Sequence, residues 1–169
     1  MEYRILPRGG EKISVIGMGS SVIGARPEEE IIATVRAAYQ QGINYFDMAG
    51  GHAAIFEAYG KALEGIRENV YLQVHFGADY TSGEYGWTTR LEEIKKSVAW
   101  QLEKLRTDYT DFGFIHCMDE EGDWEIYQKN GVLQYLQTLK DEKVVRHIGV
   151  SSHNPAIATE FWIRAWWIW

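Results

Sequence analysis

Segments of strand and helix character alternate along this chain about five times, at intervals near 30 residues. Few architectures accept that rhythm. Consecutive strands joined through helices run parallel, with right-handed crossovers, in one sheet covered by helices. The expected fold class is therefore α/β. The first segments differ: Tyr3-Arg4-Ile5-Leu6 and Lys12-Ile13-Ser14-Val15 flank the turn residues Pro7-Arg8-Gly9-Gly10 and read as a β-hairpin. Val15 to Gly19 is then expected as the first buried strand. Pro27-Glu28-Glu29-Glu30 opens a helix, with proline in the first turn and acids at the positive end of the helix dipole. Ile31, Val35, Ala38 and Tyr39 recur at helical spacing, and Gly42 stops the helix.

The cycle then repeats. Strands are expected at Ile43–Asp47, Val70–His75, Asp111–His116 and Val144–Val150. Helices are expected at Ala54–Leu63, Arg90–Leu105 and Gly131–Asp141, with a last one starting after Ser151-Ser152-His153-Asn154-Pro155. The strands end in polar residues: Asp47, His75, His116 and Ser151. In a β/α barrel such ends converge on the face that carries the chemistry. In an open doubly wound sheet they line a crevice. The second architecture is disfavoured, because Gly17-x-Gly19 does not complete G-x-G-x-x-G: Val22 stands where the third glycine belongs.

Composition excludes several function classes. Seventeen basic against 24 acidic residues give a net charge of −7, with no stripe of Lys and Arg for phosphates, so no nucleic-acid partner is expected. One cysteine, Cys117, rules out an internal disulfide framework. No run reaches the roughly 20 apolar residues of a membrane-spanning helix, and Met1–Leu6 does not open a signal peptide. A cytoplasmic protein is the expectation. His147, inside a strand, reads as a bridging or surface residue, and Cys117 as a small hydrophobe. His52, His75, His116 and Asp47 also offer three nitrogens and one oxygen, ligand types that zinc accepts. They lack a local spacing signature such as H-E-x-x-H, so no metal is expected.

Several stretches together resemble the aldo-keto reductases. They are Tyr3-Arg4-Ile5-Leu6, Ser14-Val15-Ile16-Gly17-Met18-Gly19, Gly42-Ile43-Asn44-Tyr45-Phe46-Asp47, Tyr59-Gly60-Lys61-Ala62-Leu63, Leu102 to Asp111, and Val145-Arg146-His147-Ile148-Gly149-Val150-Ser151. The resemblance covers Tyr3 to about Glu160 in the family's order and spacing. It implies a (β/α)8 TIM barrel, its bottom closed by the hairpin, that interconverts carbonyls and alcohols with NADP or NAD. Such barrels need about 250 residues. The expectation is a single incomplete barrel over residues 1–169, of about five β/α units, with residues 161–169 a tryptophan-rich tail foreign to the family.

The resemblance also implies site residues. Asp47 and His116 stand at the family's Asp and His positions. His52 stands where the family has its proton-donating tyrosine, and His75 where it has its lysine. An imidazolium at His52, beside Asp47, then becomes the expected proton donor to a small carbonyl substrate. Tyr59 is not a substitute, since it belongs to the helix face. Gly19, Ser20, Ser151 and Ser152 are the expected cofactor contacts, with Ser151 on the nicotinamide amide. The phosphates are held in the family by loops after strands seven and eight, so weak or lost cofactor binding is expected. The alternatives are an inactive half-barrel that self-associates or serves as an interaction module, and a metal-binding fragment using His52, His75, His116 and Asp47. Self-association is expected from open strand edges and from Trp162, Trp166, Trp167 and Trp169.

Overall fold

The computed structural model describes residues 1–164; the side chains of Trp162 and Arg164 and all of Trp166, Trp167 and Trp169 lie outside the description, and with them the expectation for the tail. The chain opens with a hairpin of β1 (Tyr3–Ile5) and β2 (Lys12–Ser14). There follow β3 (Met18–Gly19), α1 (Glu28–Gln40), β4 (Tyr45–Asp47), α2 (Ala54–Leu63) and β5 (Tyr71–Phe76). A small ladder of β6 (Ala78–Asp79) and β7 (Gly86–Trp87) precedes α3 (Leu91–Lys104) and β8 (Thr110–Ile115). The last elements are α4 (Asp123–Lys129), α5 (Val132–Asp141), β9 (Val145–Val150) and α6 (Pro155–Arg164).

Five strands pair in parallel in the order β3-β4-β5-β8-β9. Chain order and spatial order coincide. A doubly wound sheet reverses its order at a switch point, whereas a barrel does not. The sheet is thus the expected partial barrel. Its outward residues Phe46, Leu72, Val74, Phe76 and Ile115 are buried with Ile31, Val35, Ile55, Phe56, Tyr59, Ile94 and Leu136 of the covering helices. Its inward residues follow from period-two alternation and register: Asp47 pairs Gln73, His75 pairs Phe114, and Phe114 pairs Gly149. The lower part of this inner face is aromatic, with Tyr45 and Tyr71 against Phe112 and the His147 ring stacked on Phe112 at 5.3 Å.

Helix α1 begins after Pro27 and carries Glu28, Glu29 and Glu30 in its first turn, as its sequence dictates. It ends at Gly42, whose φ of +93° suits glycine, and whose carbonyl accepts from the Tyr3 hydroxyl at 2.9 Å. The hairpin is fastened at a second point, where His147 of β9 meets Glu11 at 2.5 Å. His147 is therefore the bridging residue anticipated for it.

The first barrel strand is shorter than expected. Val15 donates its N–H to the Glu2 carbonyl and so extends the hairpin ladder, leaving Val15 and Ile16 exposed and only Met18–Gly19 in the sheet. The β6–β7 ladder and α4 were not anticipated. Strands of two residues and a helix of seven are too short to set a period.

Candidate active site

Asp47, His75 and His116 lie at the C-terminal ends of β4, β5 and β8, on the inward side. They form a line. Asp47 Oδ1 is 2.9 Å from His75 Nε2, and His75 Nδ1 is 2.9 Å from His116 Nδ1. His116 Nε2 is 2.9 Å from the Tyr85 hydroxyl. Both histidines are nearly inaccessible, at 3% and 8%. The Gln73 amide donates to the same Asp47 oxygen at 2.9 Å, while its carbonyl accepts from the Tyr45 hydroxyl.

Hydrogen-bonding capacity constrains the protons. A carboxylate only accepts, so His75 carries its proton on Nε2. Gln73 Nε2 aims at the same oxygen, which brings the two nitrogens to 3.1 Å. Of the two facing Nδ1 atoms one donates to the other; where His75 Nδ1 is the acceptor, the donor is His116 Nδ1–H. Burial first, then the neighbouring His75, hold His116 down at about 4, so at neutral pH it is uncharged; with its proton on Nδ1, its Nε2 is an acceptor. Tyr85 therefore donates to it. Burial, then the Asp47 charge, pushes the Tyr45 phenol well above its usual value, keeping it a donor to Gln73.

His52 is not part of the line. It is exposed, its backbone bridges to Glu84, and its ring lies against Gly24. Asp47 makes no helix cap; α2 starts after Ala53 with no side-chain cap bond. The Tyr59 hydroxyl is fully buried and, among the described residues, has no partner. The four-residue metal set does not converge. Among the described residues, Cys117, Asp119 and His153 are the one group of three ligand-type side chains gathered within 4.8 Å. There His153 Nδ1–H already donates to Asp119 at 2.9 Å. Burial raises the Asp119 carboxyl, but the hydrogen bonds from His153 and Ser152 outweigh it and leave the group low.

The expected cofactor contacts divide. Gly19 is exposed, with open space where a Cβ would stand. Ser20 donates its N–H to the Asp47 carbonyl, and its hydroxyl is buried beneath Gly50 without a partner among the described residues. Ser151 Oγ accepts from Cys117 N–H at 3.0 Å, and among the described residues its own proton has only the Ile115 carbonyl at 3.5 Å. That proton is free to turn toward an amide oxygen. Ser152 is committed to Asp119 and Asn154. The residues present thus fit the amide end of a nicotinamide through Ser151, with Gly19 leaving room.

Two participants escaped sequence reasoning. Gln73 had a legible signal: a polar residue two before His75 on a strand shares its face. Tyr85 had none, since it sits in the turn-rich Thr81-Ser82-Gly83-Glu84 neighbourhood, 31 residues from its partner.

Residues 15–166 match the model of the aldo/keto reductase family. L-galactose dehydrogenase of Arabidopsis thaliana is 31% identical over 159 residues, which cover 89% of this chain and 48% of that protein. An aldo-keto reductase of Bacillus subtilis is 30% identical, over 91% and 48% of the respective chains. The holo form of an aldo-keto reductase from Bacillus halodurans superposes with a TM-score of 0.81 at 27% identity, covering 97% of this chain and 54% of that one. The chain thus spans about half the length of the curated relatives it matches. With this match over most of its length and the sheet order of a barrel, the chain belongs to the aldo/keto reductase family.

Proposed function

We propose that this site interconverts a small carbonyl compound and its alcohol with NADP or NAD as redox partner. The observation that carries the reading is the unbroken hydrogen-bonded line from Asp47 through His75 to His116 at the chemical end of a barrel sheet. Carbonyl–alcohol chemistry needs a proton delivered or removed at oxygen while a hydride moves at carbon. The bound nicotinamide supplies or takes that hydride. Asp47, His75 and His116 hold and move the proton, and Ser151 orients the amide from the end of β9. His52, where the family has its tyrosine, is exposed on the segment bridged to Glu84.

For these 169 residues by themselves we propose weak cofactor binding. Gly19, Ser20, Ser151 and Ser152 serve the nicotinamide end, while the family grips the phosphates with later strands. A fluorescence titration giving low-micromolar affinity for NADPH would refute this. The activity itself is tested by following nicotinamide absorbance with a panel of small aldehydes, and in reverse with sugars and simple alcohols. Turnover that falls by about 100-fold or more in Asp47→Asn and His116→Gln is expected. Turnover unaffected by either substitution would refute the role of the line.

A further inference from the structure

We propose that Tyr85 is a catalytic residue: its phenol is the outer end of a one-way proton line, Tyr85–His116–His75–Asp47, and receives the hydroxyl proton when a substrate alcohol is oxidised. This rests on the oxidoreductase reading above. Tyr85 brings the line to the surface: the residue is 45% exposed while its hydroxyl is 2.9 Å from the buried His116. It is also held in place. The β6–β7 ladder pairs Ala78 with Trp87 and Asp79 with Gly86. Glu84 bridges to His52, and the Trp87 indole donates to the His116 carbonyl at 3.4 Å. The Tyr85 ring lies edge-on to the His116 ring at 5.9 Å and tilted against Tyr80 at 5.8 Å.

The proposed direction takes His75 Nδ1 as the acceptor from His116 Nδ1–H. Every donor points inward, from Tyr85 to Asp47. One shift along it balances as follows. The alcohol proton passes to the Tyr85 oxygen as the phenolic proton passes to His116 Nε2. The His116 Nδ1 proton passes to His75 Nδ1, and the His75 Nε2 proton passes to Asp47 Oδ1. At the substrate carbon the C–H bond breaks and its electron pair leaves with the hydrogen as hydride, to the oxidised nicotinamide dinucleotide, while the C=O bond forms. Tyr85 and both imidazoles end neutral. The proton rests on Asp47, whose side chain is 33% exposed and releases it to water. No charge is left in the buried middle of the line, where an isolated ion would be costly. Carbonyl reduction runs the same steps backwards. The line also gives a reason for imidazole at position 75. An ammonium there has donors only and cannot pass a proton on, whereas imidazole accepts at one nitrogen and donates at the other.

Two measurements on the whole chain test this. Histidine labelled with nitrogen-15 and observed by long-range proton–nitrogen spectra is expected to show His75 protonated on Nε2 and His116 on Nδ1 at neutral pH. His116 protonated on Nε2 would reverse the line and overturn the proposal. In alcohol oxidation, Tyr85→Phe is expected to lower kcat by about 100-fold or more with KM little changed. Should that variant misfold, 3-fluorotyrosine at position 85 keeps the shape and makes the phenol more acidic; the kcat pH profile is expected to move to lower pH. An unmoved profile overturns the proposal. So does loss of activity in His52→Ala with full activity in Tyr85→Phe, which would make His52 the donor. Turnover without the assigned protonation removes only this inference. The assigned protonation without turnover of any alcohol or aldehyde removes the oxidoreductase reading, and the substrate role of Tyr85 with it.

Discussion

Replacing Asp111 should cost this fold more than replacing any residue of the candidate site. Its carboxylate is 1% exposed at the start of β8, the end of the sheet opposite the chemistry. Oδ2 accepts from Leu72 N–H of β5 at 3.0 Å and meets Arg67 Nη2 at 3.0 Å. Oδ1 meets Arg146 Nη1 of β9 at 2.9 Å. The two guanidinium groups also flank the Tyr109 ring, at 4.0 and 4.7 Å from its centroid. One side chain thus joins three strands. In Asp111→Ala the Arg67 charge, 13% exposed, loses its counter-ion, and breaking a buried pair costs about 3–5 kcal/mol. The Leu72 N–H loses its acceptor, worth about 1–3 kcal/mol when buried. The two losses share one group and do not add in full. Arg67 also keeps the Val70 and Tyr109 carbonyls, so about 3–5 kcal/mol is expected in total. Asp111→Asn retains an acceptor and should lose less. Arg146→Ala, half exposed, should lose at most about 1 kcal/mol. Urea unfolding checks the order through the midpoint at constant slope. An Asp111→Ala midpoint equivalent to a loss under about 1 kcal/mol would refute the reasoning.

Three further outcomes are expected. Burial first, then His75, holds His116 at about 4 against 6.5 for the free side chain, so between those values the unfolded chain binds the proton more readily. Stability is therefore complete above about 6.5 and lost as pH falls toward about 4, and urea midpoints across that window should fall less in His116→Gln than in wild type. Tyr59→Phe removes a buried hydroxyl with no partner among the described residues and should stabilise by about 1 kcal/mol; a destabilised thermal melt would mean that the hydroxyl is satisfied. Among the described residues β9 pairs on one side only, and a groove of about 380 Å³ lined by Phe112, Phe114, Ile148 and Gly149 runs beside it. The 169-residue chain should therefore associate with a second copy, and light scattering that finds only a monomer across the micromolar range would refute this.

The alternation of elements was legible because α1, α2, α3, α5, β5, β8 and β9 are long enough to show their period, and Asp47, His75 and His116 were legible because polar residues ending apolar strands have few bland explanations. The hydrogen-bonded line was not. Its order depends on ring orientations set by register between β4, β5 and β8, and its outer member comes from a ladder too short to read. His52 was placed by counting from Asp47, but it is exposed, with its ring against Gly24 and its backbone bridged to Glu84. Val15 and Ile16 looked like core by hydropathy alone; the backbone bond from Val15 to Glu2 overrides that.

The Asp111 junction and the His116 line lie at opposite ends of one strand, five residues and about 17 Å apart. Anchorage and chemistry are therefore separable along β8. A sheet riveted at its lower end tolerates exchange of the groups at its upper end, so long as they remain neutral or paired. Such a frame can trade a phenol and an ammonium for two imidazoles without surrendering its architecture. It also offers a practical handle: libraries that vary positions 52, 75, 85 and 116 together should yield many folded proteins, and those that touch 67, 109 and 111 few.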